Sequence, residues 1–182
     1  MLELPLDLHD AIARALAAAP AARWIRAAQA LSERYRAPRD AGAGPIASGD
    51  DQWLGYAALI LPATYAQLRG AMAAAAARTP NWSPTTMLDL GSGPGTALWA
   101  ATAQWPSLRE LAAWEREPAA ITLGRKLAAG SANPALRAAR WERLDLRSLD
   151  RRPTTDDRRP TTDDRRPTTD DRRPTTDDRR PT

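Results

Sequence analysis

One segment, residues 87–95 with the sequence MLDLGSGPG, carries the residue types of a nucleotide-binding site. Its apolar residues are typical of a parallel strand covered on both faces: Met87, Leu88 and Leu90. Asp89 lies where that strand ends, which is the usual edge of the ligand crevice in open α/β sheets. Three alternate glycines follow the acid: Gly91, Gly93 and Gly95. Glycine permits positive φ and lets a ligand contact bare backbone.

The glycine spacing separates the classes of nucleotide site. A dinucleotide fingerprint needs its third glycine or alanine at position 96, where this chain has Thr96. A P-loop needs Gly-Lys-Ser/Thr after the loop, and that sequence is absent. Residues 89–95 resemble instead the acid-G-x-G-x-G motif of class I methyltransferases, which implies S-adenosylmethionine as the cofactor. The resemblance places Ser92 in the cofactor loop with Asp89 and the three glycines. A glycine turn that binds nothing is the alternative.

A second acid is expected at the end of the next strand. Glu115 lies about 20 residues beyond the last glycine, the separation of an acid that binds ribose hydroxyls. Glu117 is the near alternative, and a solvated acid at a strand end is another. Asp145, at the end of a third strand expected within residues 138–146, is a candidate to accept the adenine amino group, or else a surface acid.

The elements around these residues predict an α/β fold. Helical spacing after Gly95, an apolar strand over residues 108–115 and a helix from Glu117 to Leu127 follow one another, as a βα unit requires. Pro118 suits the first turn of that helix, and Gly130 its end. We therefore predict a partial Rossmann-like parallel sheet of about three strands within residues 81–150.

Residues 1–80 predict a helical module. Apolar residues recur at helical spacing in three stripes, which indicates core faces. The stripes are Leu8, Ile12, Leu16 and Ala19; Trp24, Ala27, Leu31 and Tyr35; and Leu54, Ala58, Leu61, Tyr65, Leu68 and Met72. Residues 38–49 predict a loop, and Asp50 or Asp51 suits the following N-cap. Pro62 predicts a kink, or two helices with the proline in the first turn of the second.

Residues 151–182 are four copies of RRPTTDD followed by RRPT, and the prolines are their only apolar residues. Such a segment buries too little surface to offset its ordering entropy, so we predict a disordered tail. The repeat holds 10 arginines and 8 aspartates, which leaves 16 basic and 14 acidic residues in the first 150. Because each part carries only a small positive charge, the composition neither requires nor excludes a nucleic-acid partner.

The rest of the composition limits the metal sites, the localisation and the partners expected of this protein. No cysteine occurs, so no disulfide or thiolate-bound metal is expected, and we predict no metal site. No secretory leader or long apolar run occurs, which favours a cytoplasmic protein without membrane contact, and the arginine-rich composition favours a bacterial source. Five arginines of the helical module are candidates for phosphate contacts, although a solvated face is the simpler interpretation: Arg23, Arg26, Arg34, Arg36 and Arg39.

Several longer segments resemble one family in particular. They are ELPLDLHDAI at residues 3–12, LSERYR at 31–36, YAALILPATYAQL at 56–68, MLDLGSGPGTALWAA at 87–101 and WEREPAAITLGRKLA at 114–128. In this order they resemble the methyltransferase-like proteins of the small ribosomal subunit, known in mitochondria as assembly factors. The resemblance implies a class I cofactor site at Asp89, the three loop glycines and Glu115. It also implies small-subunit ribosomal RNA, or the subunit itself, as the partner.

The same resemblance predicts a partial protein. Members carry further strands beside the first strand, and a cysteine cluster that binds iron and sulfur, for which this chain has no counterpart. We expect a fragment that ends after the third strand, with an exposed apolar edge on the first strand. Such an edge favours self-association and marginal stability.

Three functional hypotheses follow. The first is an S-adenosylmethionine-dependent methyltransferase-like protein acting on or binding small-subunit ribosomal RNA, in which alignment of donor and acceptor supplies most of the catalysis. The second is a ribosome-assembly or RNA-binding factor that keeps the fold without catalysis. The third is a truncated chain without function. No catalytic residue is named, since the segment expected to hold the methyl acceptor is missing.

Overall fold

Four helices precede an alternation of strands and helices in the computed structural model, which describes residues 3–36 and 47–148. The first four helices are α1 (Leu6–Ala17), α2 (Ala21–Arg36), α3 (Asp50–Leu59) and α4 (Leu61–Arg78). They are followed by β1 (Thr86–Leu90), α5 (Thr96–Gln104), β2 (Glu110–Glu115), α6 (Pro118–Ala129), α7 (Pro134–Arg137) and β3 (Arg140–Arg143).

The helical segment is divided at Pro62, as the sequence predicts. α3 ends at Leu59 and α4 begins at Leu61, with the proline in the first turn of α4. This position suits proline because the first N–H groups of a helix have no partner within the helix. The alternative of two helices is thereby confirmed over a single kinked helix.

The core of the helical segment follows two of the predicted stripes only in part. Leu8 and Ile12 of α1 are buried, but the buried face continues through Ala11 and Ala15, whereas Leu16 is half-buried. In α4 the stripe is buried where it contacts the core and becomes partly exposed further along the helix. A stripe predicts which face turns inward but not how far the neighbouring element extends along it.

The three strands form a parallel sheet in the order β1-β2-β3. Leu88 is level with Ala112, and Ala112 is level with Arg140. Each strand is joined to the next through helices, so the predicted partial Rossmann-like sheet is confirmed. The carboxyl ends of β1 and β2, with Asp89 and Glu115, lie at the same edge of this sheet.

The two faces of the sheet differ in burial. One face contacts the helices and includes Leu111 and Ala113, which are almost fully buried. On the other face, Leu88 is 47% and Leu90 is 53% exposed. Within the described residues β1 is thus covered on one face only, which corrects the expectation of burial on both faces. Among residues 3–36 and 47–148, it also has a neighbouring strand on one edge only.

Polar contacts join the first helices to the sheet region. Asp7 of α1 accepts hydrogen bonds from the Ser131 hydroxyl at 3.0 Å and from the Ala132 N–H at 2.8 Å. Arg69 of α4 donates to the Gln104 side chain of α5 at 2.8 Å. The boundary predicted near residue 80 lies between α4 and β1, and the described residues 3–36 and 47–148 form one compact unit. Residues 38–46 of the loop predicted at 38–49, and the tail predicted at 151–182, lie outside the described residues.

Candidate functional site

The loop between β1 and α5 depends on its three glycines. Gly91, Gly93 and Gly95 have φ values of +71°, +53° and +82°. These values lie in the left-handed region, where any other L-residue is strained. The glycine pattern therefore fixes the turn from strand to helix that the sequence predicts.

The backbone N–H groups of this loop all have partners within the protein. Those of Gly91 and Ser92 donate to the Trp114 carbonyl at 2.8 and 3.2 Å, and that of Gly95 donates to the Ser92 carbonyl at 2.9 Å. The Gly93 N–H donates to the Glu115 carboxylate at 2.8 Å. Phosphate-binding loops instead present free N–H groups to the anion. This loop consequently lacks the donors that a pyrophosphate needs.

Glu115 joins the end of β2 to the glycine loop. Its Oε2 accepts the Gly93 N–H, and its Oε1 accepts the N–H groups of Arg116 and Glu117 at 2.8 and 3.0 Å. The side chain is 7% exposed. A carboxylate has about four acceptor positions, so three hydrogen bonds leave room for one more donor. Glu115 therefore supports the loop and still has one acceptor position.

Glu117, the alternative acid, lies in a different environment. It is the N-cap residue of α6, and its carboxylate lies 3.7 Å from the Arg116 guanidinium. The two acids two residues apart are thus separated by the structure: Glu115 faces the loop, whereas Glu117 pairs with its neighbour.

Asp89 is a half-buried acid with one buried, unsatisfied oxygen. Its Oδ2 is buried and has no hydrogen-bond partner within the described part of the chain. Burial, with the Glu115 charge as a second cause, raises the pKa of Asp89 to about 6. Desolvation and a like charge both disfavour the ionised form, whereas a cation at this position would favour it. The site is therefore electrostatically suited to a positively charged ligand.

Two further polar atoms near the loop are buried without partners among the described residues. One is the hydroxyl of Thr96, the first residue of α5, and the other is the indole N–H of Trp53 in α3. Buried polar groups without partners are uncommon and call for an explanation such as an absent ligand. Because these two atoms and Asp89 Oδ2 belong to residues in or against the loop, they indicate a binding site there.

Trp53 is a residue that the sequence analysis missed. A Cβ on Gly93 would lie 3.5 and 3.6 Å from Cζ3 and Cη2 of Trp53, so this edge of the indole borders the loop at Gly93. The tryptophans are scattered along the sequence, and no local pattern links α3 to a loop about 40 residues away. Only the tertiary structure reveals this contact.

A second tryptophan, Trp141 of β3, lies close to Gly95 of the loop. A Cβ on Gly95 would lie 2.7 Å from Cη2 of Trp141, and one on Gly124 would lie 2.6 Å from Cζ3. Both distances are shorter than real Cβ contacts, so the Trp141 ring of β3 requires glycine at both positions. The third glycine of the motif thus has a packing role as well as a conformational one.

The remaining predicted site residues have local partners. The Ser92 hydroxyl lies 3.3 Å from the Gly93 carbonyl. Asp145 follows β3 and pairs with the guanidinium of Arg147 at 2.7 Å, and this hydrogen bonding lowers the pKa of Asp145 to about 2. The neighbouring Leu144 N–H donates to the Glu115 carbonyl at 3.0 Å, which keeps residue 145 close to the end of β2.

Three of the five predicted arginines of the helical module make protein contacts. Arg23 pairs with Asp51 at 2.9 Å, and Arg26 donates to the Ala22 carbonyl at 3.0 Å. Arg34 lies 3.4 Å from the Gln52 side-chain oxygen. Arg39 lies outside the described residues. These contacts favour the interpretation of a solvated face with local pairing.

No helix among the described residues is both long and apolar enough to cross a membrane. No group of three or more His, Cys, Asp or Glu residues within 3–36 and 47–148 is arranged to hold a metal ion.

A parallel strand, a glycine loop with an acid before it and a second acid at the next strand end define a Rossmann-like, methyltransferase-type half-fold. Comparison with known proteins specifies this class. The family described as mitochondrial small ribosomal subunit Rsm22 matches residues 51–155, more than half of the chain. The chain therefore belongs to this family.

The chain is also similar in sequence to a human protein. Ribosome assembly protein METTL17, mitochondrial, from Homo sapiens is 38% identical over 76 residues, which are 41% of this chain and 17% of the human protein. The chain thus spans only a small part of the length of this relative.

Proposed function

We propose that this chain is a methyltransferase-like factor that acts in small ribosomal subunit assembly and binds S-adenosylmethionine at the β1–α5 loop. Family membership supports the assembly role, since the family is described by the small ribosomal subunit and the human relative is named a ribosome assembly protein. The observation that carries the cofactor assignment is the buried, unpartnered carboxylate oxygen of Asp89.

The residues at the loop fit S-adenosylmethionine by charge. The cofactor carries a sulfonium and an ammonium, and both favour the ionised form of an acid whose pKa burial has raised. A phosphate-bearing nucleotide would instead meet two carboxylates and no free N–H within the glycine loop. The cofactor, when bound, supplies a methyl group on a sulfonium, which reacts by in-line displacement.

Each residue has a stated role in this proposal. Asp89 binds the cationic amino-acid end, and the glycines let the cofactor approach the backbone. Glu115 fixes the loop through the Gly93 N–H, and its remaining acceptor position suits a ribose hydroxyl. Asp145, held by Arg147, lies next to the end of β2 and remains the candidate for the adenine amino group.

Titration calorimetry of the 182-residue chain tests the cofactor assignment. We expect S-adenosylmethionine to bind more tightly than S-adenosylhomocysteine, whose thioether is neutral, and ATP not to bind. Gly93→Arg should abolish binding because a side chain at φ +53° is strained and contacts Trp53. Glu115→Ala should weaken it, whereas Glu117→Gln is the matched control and should not. Absence of binding by the unmodified chain would overturn the assignment.

A second candidate function is assembly without catalysis. The human relative is named a ribosome assembly protein, which favours a scaffold that binds the subunit. Co-sedimentation with small ribosomal subunits tests the assembly role itself. Transfer of a labelled methyl group to small-subunit RNA would favour the enzyme, and retained cofactor binding without transfer would favour the scaffold.

A further inference from the structure

Trp53 forms a wall of the site that lies outside the Rossmann-like part of the chain. The residue is in α3, and the Cζ3–Cη2 edge of its ring faces Gly93, at van der Waals distance from the position that a Cβ would occupy there. The side chain is 6% exposed. It also contacts Tyr56 edge to face, with ring centroids 5.3 Å apart, which restrains the orientation of the indole.

The indole N–H of Trp53 has no acceptor among the described residues although it is buried. Buried tryptophan N–H groups usually have a hydrogen-bond partner. A ligand at the loop can supply the missing acceptor, since the ring lies beside Gly93. The unsatisfied donor is thus a second sign of a ligand, independent of the acid pair.

The charges at the loop restrict which acceptor this is. Asp89 and Glu115 repel an anionic group, and the N–H groups of the loop are already used. The carboxylate of an amino-acid ligand therefore needs donors from elsewhere. Among side chains of the described residues, Trp53 N–H and the Thr96 hydroxyl are the buried, unpartnered donors at the loop.

We propose that Trp53, whose ring edge faces Gly93, donates its indole N–H to the carboxylate of the amino-acid end of the bound cofactor. The proposal rests on the cofactor assignment above. It makes α3 part of the binding site, so the helices before the sheet contribute to ligand recognition as well as to folding.

Trp53→Phe tests the hydrogen bond, because phenylalanine keeps an aromatic ring and removes the donor. We expect the variant to bind S-adenosylmethionine about tenfold more weakly, as a lost hydrogen bond to a charged group predicts. Decarboxylated S-adenosylmethionine keeps both positive charges but lacks the carboxylate. Its affinity should be the same for the variant and the unmodified chain.

Trp24→Phe is the matched control. Trp24 in α2 also has a buried indole N–H without a partner among the described residues, but α2 does not contribute to the loop. Its replacement should leave the affinity for both ligands unchanged. Melting curves of both variants report whether each remains folded.

Three results would overturn the proposal. The first is that Trp53→Phe binds S-adenosylmethionine as tightly as the unmodified chain does. The second is that Trp53→Phe loses affinity equally for S-adenosylmethionine and for the decarboxylated compound. Either result would leave the cofactor assignment intact. If the unmodified chain binds no S-adenosylmethionine, the cofactor assignment fails and this inference fails with it.

A measurement on the unmodified chain avoids any dependence on the variant. With ¹⁵N-labelled tryptophan, the seven indole N–H groups can be followed by NMR. We expect S-adenosylmethionine to slow the exchange of one indole proton with solvent, and the decarboxylated compound not to do so. Equal effects of the two compounds would contradict the proposed contact.

Discussion

Replacing Asp89 by asparagine should stabilise the ligand-free protein at neutral and alkaline pH. Burial and the Glu115 charge raise the pKa of Asp89 from 3.8 to about 6. At about 1.4 kcal/mol per pKa unit, keeping this carboxylate ionised costs the folded state about 3 kcal/mol. The amide of asparagine carries no charge, so this cost disappears in Asp89→Asn.

The sign follows from proton linkage. The folded chain binds the Asp89 proton more tightly than the unfolded chain, because the pKa is higher in the folded state. The contribution of this group to stability is therefore fully present below about pH 4 and is lost as the pH rises through about 6. Asp89→Asn should abolish this loss.

Urea unfolding followed by tryptophan fluorescence, at about pH 4.5 and about pH 8, measures the effect. We expect the free energy of unfolding of Asp89→Asn, relative to that of the unmodified chain, to be about 2–3 kcal/mol higher at the alkaline pH than at the acidic pH. A stability difference that is the same at both pH values would refute the argument, because burial of the amide changes the two measurements equally.

Asp145→Asn is the control of opposite sign. Hydrogen bonds from Arg147 lower the pKa of Asp145 to about 2, so its contribution is present above about pH 4 and is lost as the pH falls through about 2. Over the tested range the effect of this variant should not vary with pH. In the same assay, S-adenosylmethionine should stabilise the unmodified chain more than Asp89→Asn, since the variant lacks the ligand-binding charge.

Three further predictions concern packing and association. Gly124→Ala should destabilise the fold by about 1–3 kcal/mol because a Cβ there overlaps Trp141. Gly70→Ala, in the open part of α4, should instead stabilise the fold by about 0.5–1 kcal/mol. Equal melting temperatures of the two variants would contradict this prediction. Asp7→Asn should cost about 1–2 kcal/mol through its bonds to Ser131 and Ala132, and exposed Asp10→Asn should cost little, as denaturant titration will report. The uncovered face and edge of β1 should cause self-association, which sedimentation velocity measures. Leu88→Lys should reduce this self-association. Ile25→Lys, at another exposed apolar residue, should leave it unchanged.

The strand, loop and helix around Asp89 were predictable because their signals are local. An apolar run, an acid and alternate glycines determine the backbone over fewer than ten residues, and the left-handed φ values follow from the glycines. The position of Glu115 was predictable for a related reason. Parallel strands bring their carboxyl ends to one edge, so a spacing of about 20 residues becomes a short distance in space.

Contacts between distant elements could not be predicted in this way. The position of Trp53 beside Gly93 and the hydrogen bond from Ser131 to Asp7 depend on how the helices pack on the sheet. A helical stripe gives the direction of burial but not the partner. The apolar run of β1 likewise predicts two covered faces, although one lies open in the described residues, because strand composition records hydrophobicity and not the presence of a neighbour.

The hydrogen bonds that the loop N–H groups make within the protein determine which ligand charge the site favours. Since the protein itself supplies acceptors for them, ligand recognition falls to side chains, and two of these are carboxylates. A cation then relieves the cost of keeping Asp89 ionised, whereas a neutral ligand of the same shape does not. Methyl transfer from a sulfonium removes one positive charge from the cofactor. In the proposed function, the same acid pair therefore binds the methyl donor more tightly than its demethylated product, which favours product release.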